Sequence, residues 1–142
     1  MVDYIIIEKV WADTDLIELA LECKSSYVCA KNKYYTCKEN IHKLIYDIDK
    51  FLLDSKKEFL WENGQKGDKS TAYFSLNFSH KDINGHVLIE IYMEIDDGGS
   101  FEKHNCCFFV NTEIGQLDFF LKDLSKLFIE DMGVKVVLGN QS

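Results

Sequence analysis

The dipeptide Asn84-Gly85 is flanked by two runs of alternating residues, Thr71-Ala72-Tyr73-Phe74-Ser75-Leu76-Asn77-Phe78-Ser79 and His86-Val87-Leu88-Ile89-Glu90-Ile91-Tyr92-Met93-Glu94-Ile95-Asp96. This stretch of the sequence is the most informative about the fold. Apolar and polar residues alternate in both runs, which is typical of half-buried strands. Asn-Gly between two such runs is the strongest short-range signal for a β-hairpin. A two-residue type I′ turn at Asn84-Gly85 predicts that Leu76 lies opposite Met93.

The same alternation gives the hairpin one apolar face and one polar face. The polar face carries Ser75, Asn77, Glu90, Tyr92 and Glu94. Aromatic side chains supply much of the energy of protein interfaces, and charges steer association. We therefore predict that these five residues are exposed and bind a protein partner. The alternative is an ordinary solvated sheet face.

Further strands and two helices are expected along the rest of the chain. The strand candidates span residues 4–11, 16–23, 27–35, 58–61, 105–110 and 134–138. A helix is the alternative for 16–23, because Leu, Ala and Glu favour helix. Their composition indicates that 105–110 is fully buried. Thr36 and Glu39 have the spacing of a capping box before a helix from Cys37 to about Leu53. A second helix follows a cap at Asn111 or Thr112, with an apolar stripe from Ile114 to Phe128.

The order of these elements predicts the fold class. It lacks the regular strand–helix alternation of a parallel sheet, and the connections in the C-terminal meander are short. We expect one α+β domain over residues 1–142, with a single mainly antiparallel sheet of about five to seven strands and two helices packed on one face. The predicted core comprises Leu44, Ile48, Phe74, Leu76, Ile91, Met93, Leu117, Leu121 and Leu124.

The charge of the chain restricts its partners. All 16 basic residues are lysines, and the net charge is −8. An acidic chain repels nucleic acid and anionic lipid, so it favours a basic protein as partner. The N-terminal residues lack a basic segment and a long apolar run, which predicts a cytoplasmic protein without a signal peptide or membrane span. Five cysteines in such a chain are expected to be free thiols.

Residues that could catalyse a reaction or bind a metal do not form a recognisable motif. The candidates are His42, His80, His86, His104 and the vicinal pair Cys106-Cys107. Strand parity puts His80 and His86 on opposite faces, and likewise Cys106 and Cys107. We expect these two cysteines to be buried as small hydrophobes. The sequence contains no Cys-x-x-Cys, and we predict no catalytic residue, cofactor site or metal site.

Two segments in the C-terminal half, His86-Val87-Leu88-Ile89-Glu90 and Thr112-Glu113-Ile114-Gly115-Gln116-Leu117-Asp118-Phe119, resemble small bacterial intracellular α+β domains of unknown function. Some of those domains resemble immunity proteins encoded beside polymorphic toxins. The resemblance implies a single-domain binding protein rather than an enzyme. The matching residues are a strand and a helix start, so they transfer no active site.

The leading hypothesis is therefore a non-enzymatic cytoplasmic protein-binding domain, of the kind that neutralises a basic toxin. One alternative is a small-ligand-binding or enzymatic domain with an aromatic pocket, for which the candidates are Tyr27, Tyr34, Tyr35, Tyr73 and Tyr92. Another is a structural domain that forms a homodimer through a sheet edge.

Overall fold

The computed structural model describes residues 3–68, 70–96, 104–129 and 132–139. All the predicted strands and the first helix are present with shifted ends, whereas the second predicted helix is divided into two by a turn at Leu124 and Ser125. The elements are β1 (Tyr4–Ala12), β2 (Ile17–Lys24), β3 (Cys29–Thr36), α1 (Lys38–Leu53), β4 (Phe59–Asn63), β5 (Phe74–His80), β6 (His86–Ile95), β7 (His104–Glu113), α2 (Ile114–Asp123), a short α3 (Lys126–Ile129) and β8 (Lys135–Leu138). None of the helices in these ranges is long and apolar enough to cross a membrane.

The strands form two antiparallel sheets, so the prediction of a single sheet was wrong. The first sheet has the order β3-β2-β1-β8, and the second sheet has the order β4-β5-β6-β7. Strand β8 closes the first sheet by pairing with β1, far away in sequence. Alternation reports which side of a strand is buried, but it does not report which strands are neighbours. The α+β class with antiparallel pairing is confirmed.

The inner faces of both sheets and the apolar sides of the helices share one core. Helix α1 contributes Ile41, Leu44, Ile48 and Phe51, which recur at helical spacing. All of the predicted core residues are buried except Leu121, which is only partly buried because α2 turns Leu117 and Phe120 inward instead.

The β5–β6 hairpin exists, but its predicted register was wrong by two residues. Leu76 lies opposite Ile91 rather than Met93. A hydrogen bond of 2.9 Å from the Lys81 N–H to the His86 carbonyl closes a four-residue loop from Asp82 to Gly85 in place of the two-residue turn. Within this loop only Gly85 has a positive φ, 90°. Type I′ geometry needs a positive φ at both central residues. The Asp82 carboxylate accepts a hydrogen bond from the Asn84 N–H at 2.8 Å and thereby stabilises the longer loop.

Both helix starts also differ from expectation. The N-cap of α1 is Cys37, without a side-chain cap, while the Thr36 hydroxyl accepts a hydrogen bond from the Asn40 amide at 3.0 Å. Strand β7 continues to Glu113, which is the N-cap of α2 in place of Asn111 or Thr112. In both cases a strand extends to the residue before the helix, so the predicted capping residues belong to strands.

Candidate functional site

The face of the second sheet that points away from the core carries acidic and exposed apolar side chains. A shift of two residues in the register leaves each side chain on the same face of the sheet. The residues predicted for the polar face therefore still share one face. We call this surface the acidic face; it comprises Leu60, Glu62, Ser75, Asn77, Ser79, Leu88, Glu90, Tyr92, Glu94, Cys107 and Phe109. The helices contribute their buried residues to the core on the opposite side of the sheet.

One row of side chains crosses all four strands of the acidic face. Leu60 lies opposite Asn77, Asn77 opposite Glu90, and Glu90 opposite Phe109. At a strand spacing of about 4.8 Å, the row spans about 14 Å. Its apolar ends are both accessible, since Leu60 is 42% and Phe109 48% exposed. The row therefore presents an exposed carboxylate between two apolar contact points.

The structure brings the five predicted partner-binding residues onto one face, but it does not expose all of them. Glu90 is exposed, and Ser75, Asn77 and Tyr92 are half-buried. Glu94 is only 5% exposed, so the prediction of an exposed Glu94 was wrong. The connection from β4 to β5 reaches the end of β6 and covers it, which strand alternation does not reveal.

The Glu94 carboxylate holds that connection in place. Its Oε1 accepts a hydrogen bond from the Tyr73 N–H at 3.1 Å, and its Oε2 accepts one from the Gly67 N–H at 3.4 Å. The Tyr92 hydroxyl donates to the same Oε2 at 3.3 Å. A buried carboxylate with two backbone donors has a structural role, because its charge is compensated within the molecule.

Tyr92 lies at the border between this anchored connection and the open part of the face. The Lys66 ammonium is 4.3 Å from the centroid of its ring, in cation–π geometry. Burial and the neighbouring Glu94 carboxylate raise the pKa of the Tyr92 hydroxyl still further above neutral pH, where a tyrosine is a hydrogen-bond donor in any case. Tyr92 is thus already engaged, and the exposed residues of the face are Glu62, Cys107 and three members of the row, namely Leu60, Glu90 and Phe109.

Sequence reasoning missed Phe109 as a surface residue. The uncharged run in β7 indicated a fully buried strand, but β7 is an edge strand whose Asn105, Cys107 and Phe109 are exposed. Only the parity of Phe109 relative to buried Phe108 and Val110, together with the position of β7 at the edge, identifies it. The alternation was visible in the sequence, whereas the edge position was not.

The cysteines and histidines do not assemble into a reactive site. All five cysteines are free, as expected. Cys106 and Cys107 point to opposite faces as predicted, but Cys107 is exposed rather than buried. Desolvation and the Glu90 carboxylate raise the pKa of the Cys107 thiol, which lowers its reactivity at neutral pH.

His80 and His86 also lie on opposite sides of the hairpin, as predicted. The ring of His80 stacks on Phe51 with centroids 3.9 Å apart, whereas His86 Nδ1 is 2.7 Å from an oxygen of Asp82. Within the described ranges, no group of three or more His, Cys, Asp or Glu residues could bind a metal ion.

The five candidate tyrosines do not share a pocket. Tyr34 and Tyr35 line a cavity of about 570 Å³ beside the β4–β5 connection, and Tyr27 lines a separate cleft of about 780 Å³. Tyr73 and Tyr92 line neither of these two spaces. The Tyr34 hydroxyl is buried and donates to the Glu94 carbonyl at 2.8 Å, and burial raises its pKa. The single aromatic pocket expected for a ligand-binding domain is therefore divided.

Comparison with known proteins finds no matching protein family, no matching characterised protein and no matching solved structure. The interpretation of the acidic face therefore depends on its geometry and charge.

Proposed function

We propose that this chain is a non-enzymatic binding domain whose acidic face binds a basic protein, as an immunity protein binds a toxin to neutralise it. The observation that carries the proposal is the row from Leu60 to Phe109, in which an exposed glutamate lies between two exposed apolar side chains. Apolar contacts of this kind supply binding energy, and the carboxylates steer a basic partner towards them.

The charge of the whole chain supports the same class of partner. A net charge of −8 attracts a cationic protein over the Debye length, about 8 Å at physiological ionic strength. Toxins that act on nucleic acids are basic because they must neutralise phosphates. An acidic surface that covers such a site competes directly with the nucleic acid. The proposed partner is therefore a basic nuclease or another nucleic-acid-binding protein.

Affinity capture from the native host, followed by calorimetry with the purified partner, tests the proposal. We expect Glu90→Lys to weaken binding and to reduce its dependence on salt, and Leu60→Ala to weaken binding without changing the salt dependence. Glu18→Lys is the matched control, because it makes the same charge change on the outer face of the first sheet.

Two outcomes would contradict the proposal. Equal weakening by Glu18→Lys and Glu90→Lys would mean that net charge matters and the acidic face does not. Unchanged affinity in both Glu90→Lys and Leu60→Ala, with folding intact, would remove this face as the binding site.

A further inference from the structure

Strand β7 forms an edge that lacks the usual protection against pairing with another strand. Natural sheets protect their edges with charged side chains or with short edge strands. The other three edges follow this rule: β3 carries Lys31 and Lys33, β4 has five residues and carries Glu62, and β8 has four residues and carries Lys135. Strand β7 has ten residues, and none from Asn105 to Thr112 is charged. Its composition is suited to pairing.

The backbone groups of β7 that point away from β6 can be identified from one contact. The Asn111 N–H donates to Asp3 Oδ2 at 2.8 Å, so it points away from β6. Backbone groups alternate in direction along an antiparallel strand without a bulge, and the β6–β7 register is continuous. The N–H and C=O groups of Asn105, Cys107 and Phe109 therefore also point to the open side. A cleft of about 780 Å³ lies beside this strand, and its lining includes Cys107, Phe109, Asp3 and Tyr27, which is 95% exposed.

We propose that β7 pairs with β7 of a second copy of this chain, antiparallel and about a two-fold axis at Phe108. In this register Cys107 lies opposite the partner's Phe109, and Asn105 lies opposite the partner's Asn111. The two pairs of Cys107 and Phe109 form four backbone hydrogen bonds at the centre, where the Asp3 contact does not interfere. Each outer pair of Asn105 and Asn111 forms at most one of its two backbone hydrogen bonds, because the Asn111 N–H is already bound to Asp3.

The edge of β7 is complementary to itself, and this favours a second copy of the chain as the strand that pairs with it. A two-fold interface requires that one patch match itself. The β7 sequence meets this condition, because asparagines lie at both ends, apolar residues and cysteines lie between them, and no like charges oppose each other. The other edges would bring lysine near lysine or glutamate near glutamate. The pairing joins two second sheets into one eight-stranded sheet whose acidic faces point to the same side.

The dependence on salt separates this inference from the proposed function, on which it does not depend. Each copy carries a net charge of −8, so the two copies repel each other at low ionic strength. Screening by salt should tighten the dimer, whereas it should weaken binding to a basic partner. Failure of one proposal therefore leaves the other intact.

Sedimentation equilibrium of the full chain under reducing conditions, at low and high salt, is the first experiment. We expect a dimer with a Kd below about 1 mM that tightens as salt is raised. We expect Phe109→Lys to raise the dimer Kd by at least about tenfold, because it brings positive charge to both sides of the axis. Tyr35→Lys, which changes an exposed aromatic residue on the β3 edge, is the matched control and should leave the Kd unchanged.

Amide exchange measured by NMR identifies the edge directly. The N–H groups of Cys107 and Phe109 should exchange more slowly as protein concentration rises, while the N–H of Tyr35 should not change. Phe109→Pro removes one of these N–H groups without removing a β6–β7 hydrogen bond, and it should abolish the dimer. A monomer at every concentration and salt, or a dimer in which these two amides stay unprotected, would overturn the proposal.

Discussion

The two sheets are both antiparallel and four-stranded, but they differ in which residues lie opposite the glutamates of their outer faces. In the first sheet, two of the three glutamates lie opposite lysines of a neighbouring strand: Glu8 opposite Lys135, and Glu22 opposite Lys31 with 3.8 Å between the charged atoms. The third, Glu18, lies between Trp11 and Tyr35. In the second sheet, Glu62 lies opposite Ser75, and Glu90 lies between Asn77 and Phe109. The first sheet therefore compensates two of its glutamates with lysines, whereas the carboxylate of Glu90 has no cation directly opposite on either neighbouring strand.

The capacity of a sheet face to bind a charged partner therefore depends on the cross-strand neighbours of its charges rather than on its composition. Both outer faces contain glutamates and exposed aromatic residues, and the first even has an edge-to-face contact between Trp11 and Tyr35 with ring centroids 6.0 Å apart. Cross-strand pairs of opposite charge contribute about 0.2–1 kcal/mol to the sheet that contains them. The second sheet lacks such a pair at Glu90, and its exposed carboxylate stays available to a partner.

The inner faces of the two sheets should contribute equally to the stability of the shared core, and substitutions there have the largest expected effect. Ile7 of the first sheet and Ile89 of the second are both fully buried. We expect Ile7→Ala and Ile89→Ala each to lower the free energy of unfolding by about 2–5 kcal/mol, through lost burial and the cavity left behind. Urea denaturation measures both. A cost below about 1 kcal/mol for either variant would show that its sheet is not an equal part of the shared core.

Two glutamates of the second sheet, Glu90 and Glu94, should differ in their effect on stability. Glu94→Ala leaves the N–H groups of Tyr73 and Gly67 without their acceptor, so we expect it to cost about 1–3 kcal/mol in the free energy of unfolding. Glu90→Ala is the control and should stay within about 0.5 kcal/mol, as is usual for surface substitutions. If both variants had the same stability, the separation of an anchoring from a binding carboxylate would be wrong.

Substitutions in the β5–β6 loop test which of its residues needs a positive φ. Gly85 has a φ of 90°, and a Cβ there would meet Ile114 only at ordinary contact distance, so any cost comes from backbone strain. We expect Gly85→Val to cost about 1–2 kcal/mol, because a β-branched residue resists this conformation. Asn84→Ala should cost much less, since Asn84 does not have a positive φ. Equal losses of unfolding free energy in Gly85→Val and Asn84→Ala would instead support a two-residue turn at Asn84-Gly85.

The smallest expected effect concerns acid, and it applies to one loop in each sheet. A hydrogen bond with His86 lowers the pKa of Asp82, and backbone hydrogen bonds from Leu16 and Asp15 lower that of Asp13. A lowered pKa means that the folded state favours the charged form. The resulting stability is present above the ordinary aspartate pKa of about 4 and is lost as pH falls through the lowered value.

Asp13→Asn and Asp82→Asn should therefore each be less stable than the wild type at neutral pH, and the difference should shrink as pH is lowered to about 2. Urea denaturation at several pH values measures this. A difference that grows on acidification would contradict the sign of the pKa shifts.

Local patterns in the sequence were enough to predict which side of the hairpin strands faces the core and where the main helix lies. Ser75, Asn77 and Glu90 share the predicted face even though the hairpin register was wrong, because a shift of two residues preserves parity. The apolar stripe of Ile41, Leu44 and Ile48 located α1 correctly, since helical spacing is a local property.

The tertiary structure alone decided which strands are neighbours and what covers them. Two sheets exist rather than one, β7 is an edge, and Glu94 is buried, although nothing local in the sequence distinguishes these outcomes from the predicted ones. The pairing of β1 with β8 joins the two ends of the chain, and the Glu94 contacts span 21 and 27 residues. Such contacts depend on the packing of the whole chain, because their energy is gained only after the segments between them have been ordered.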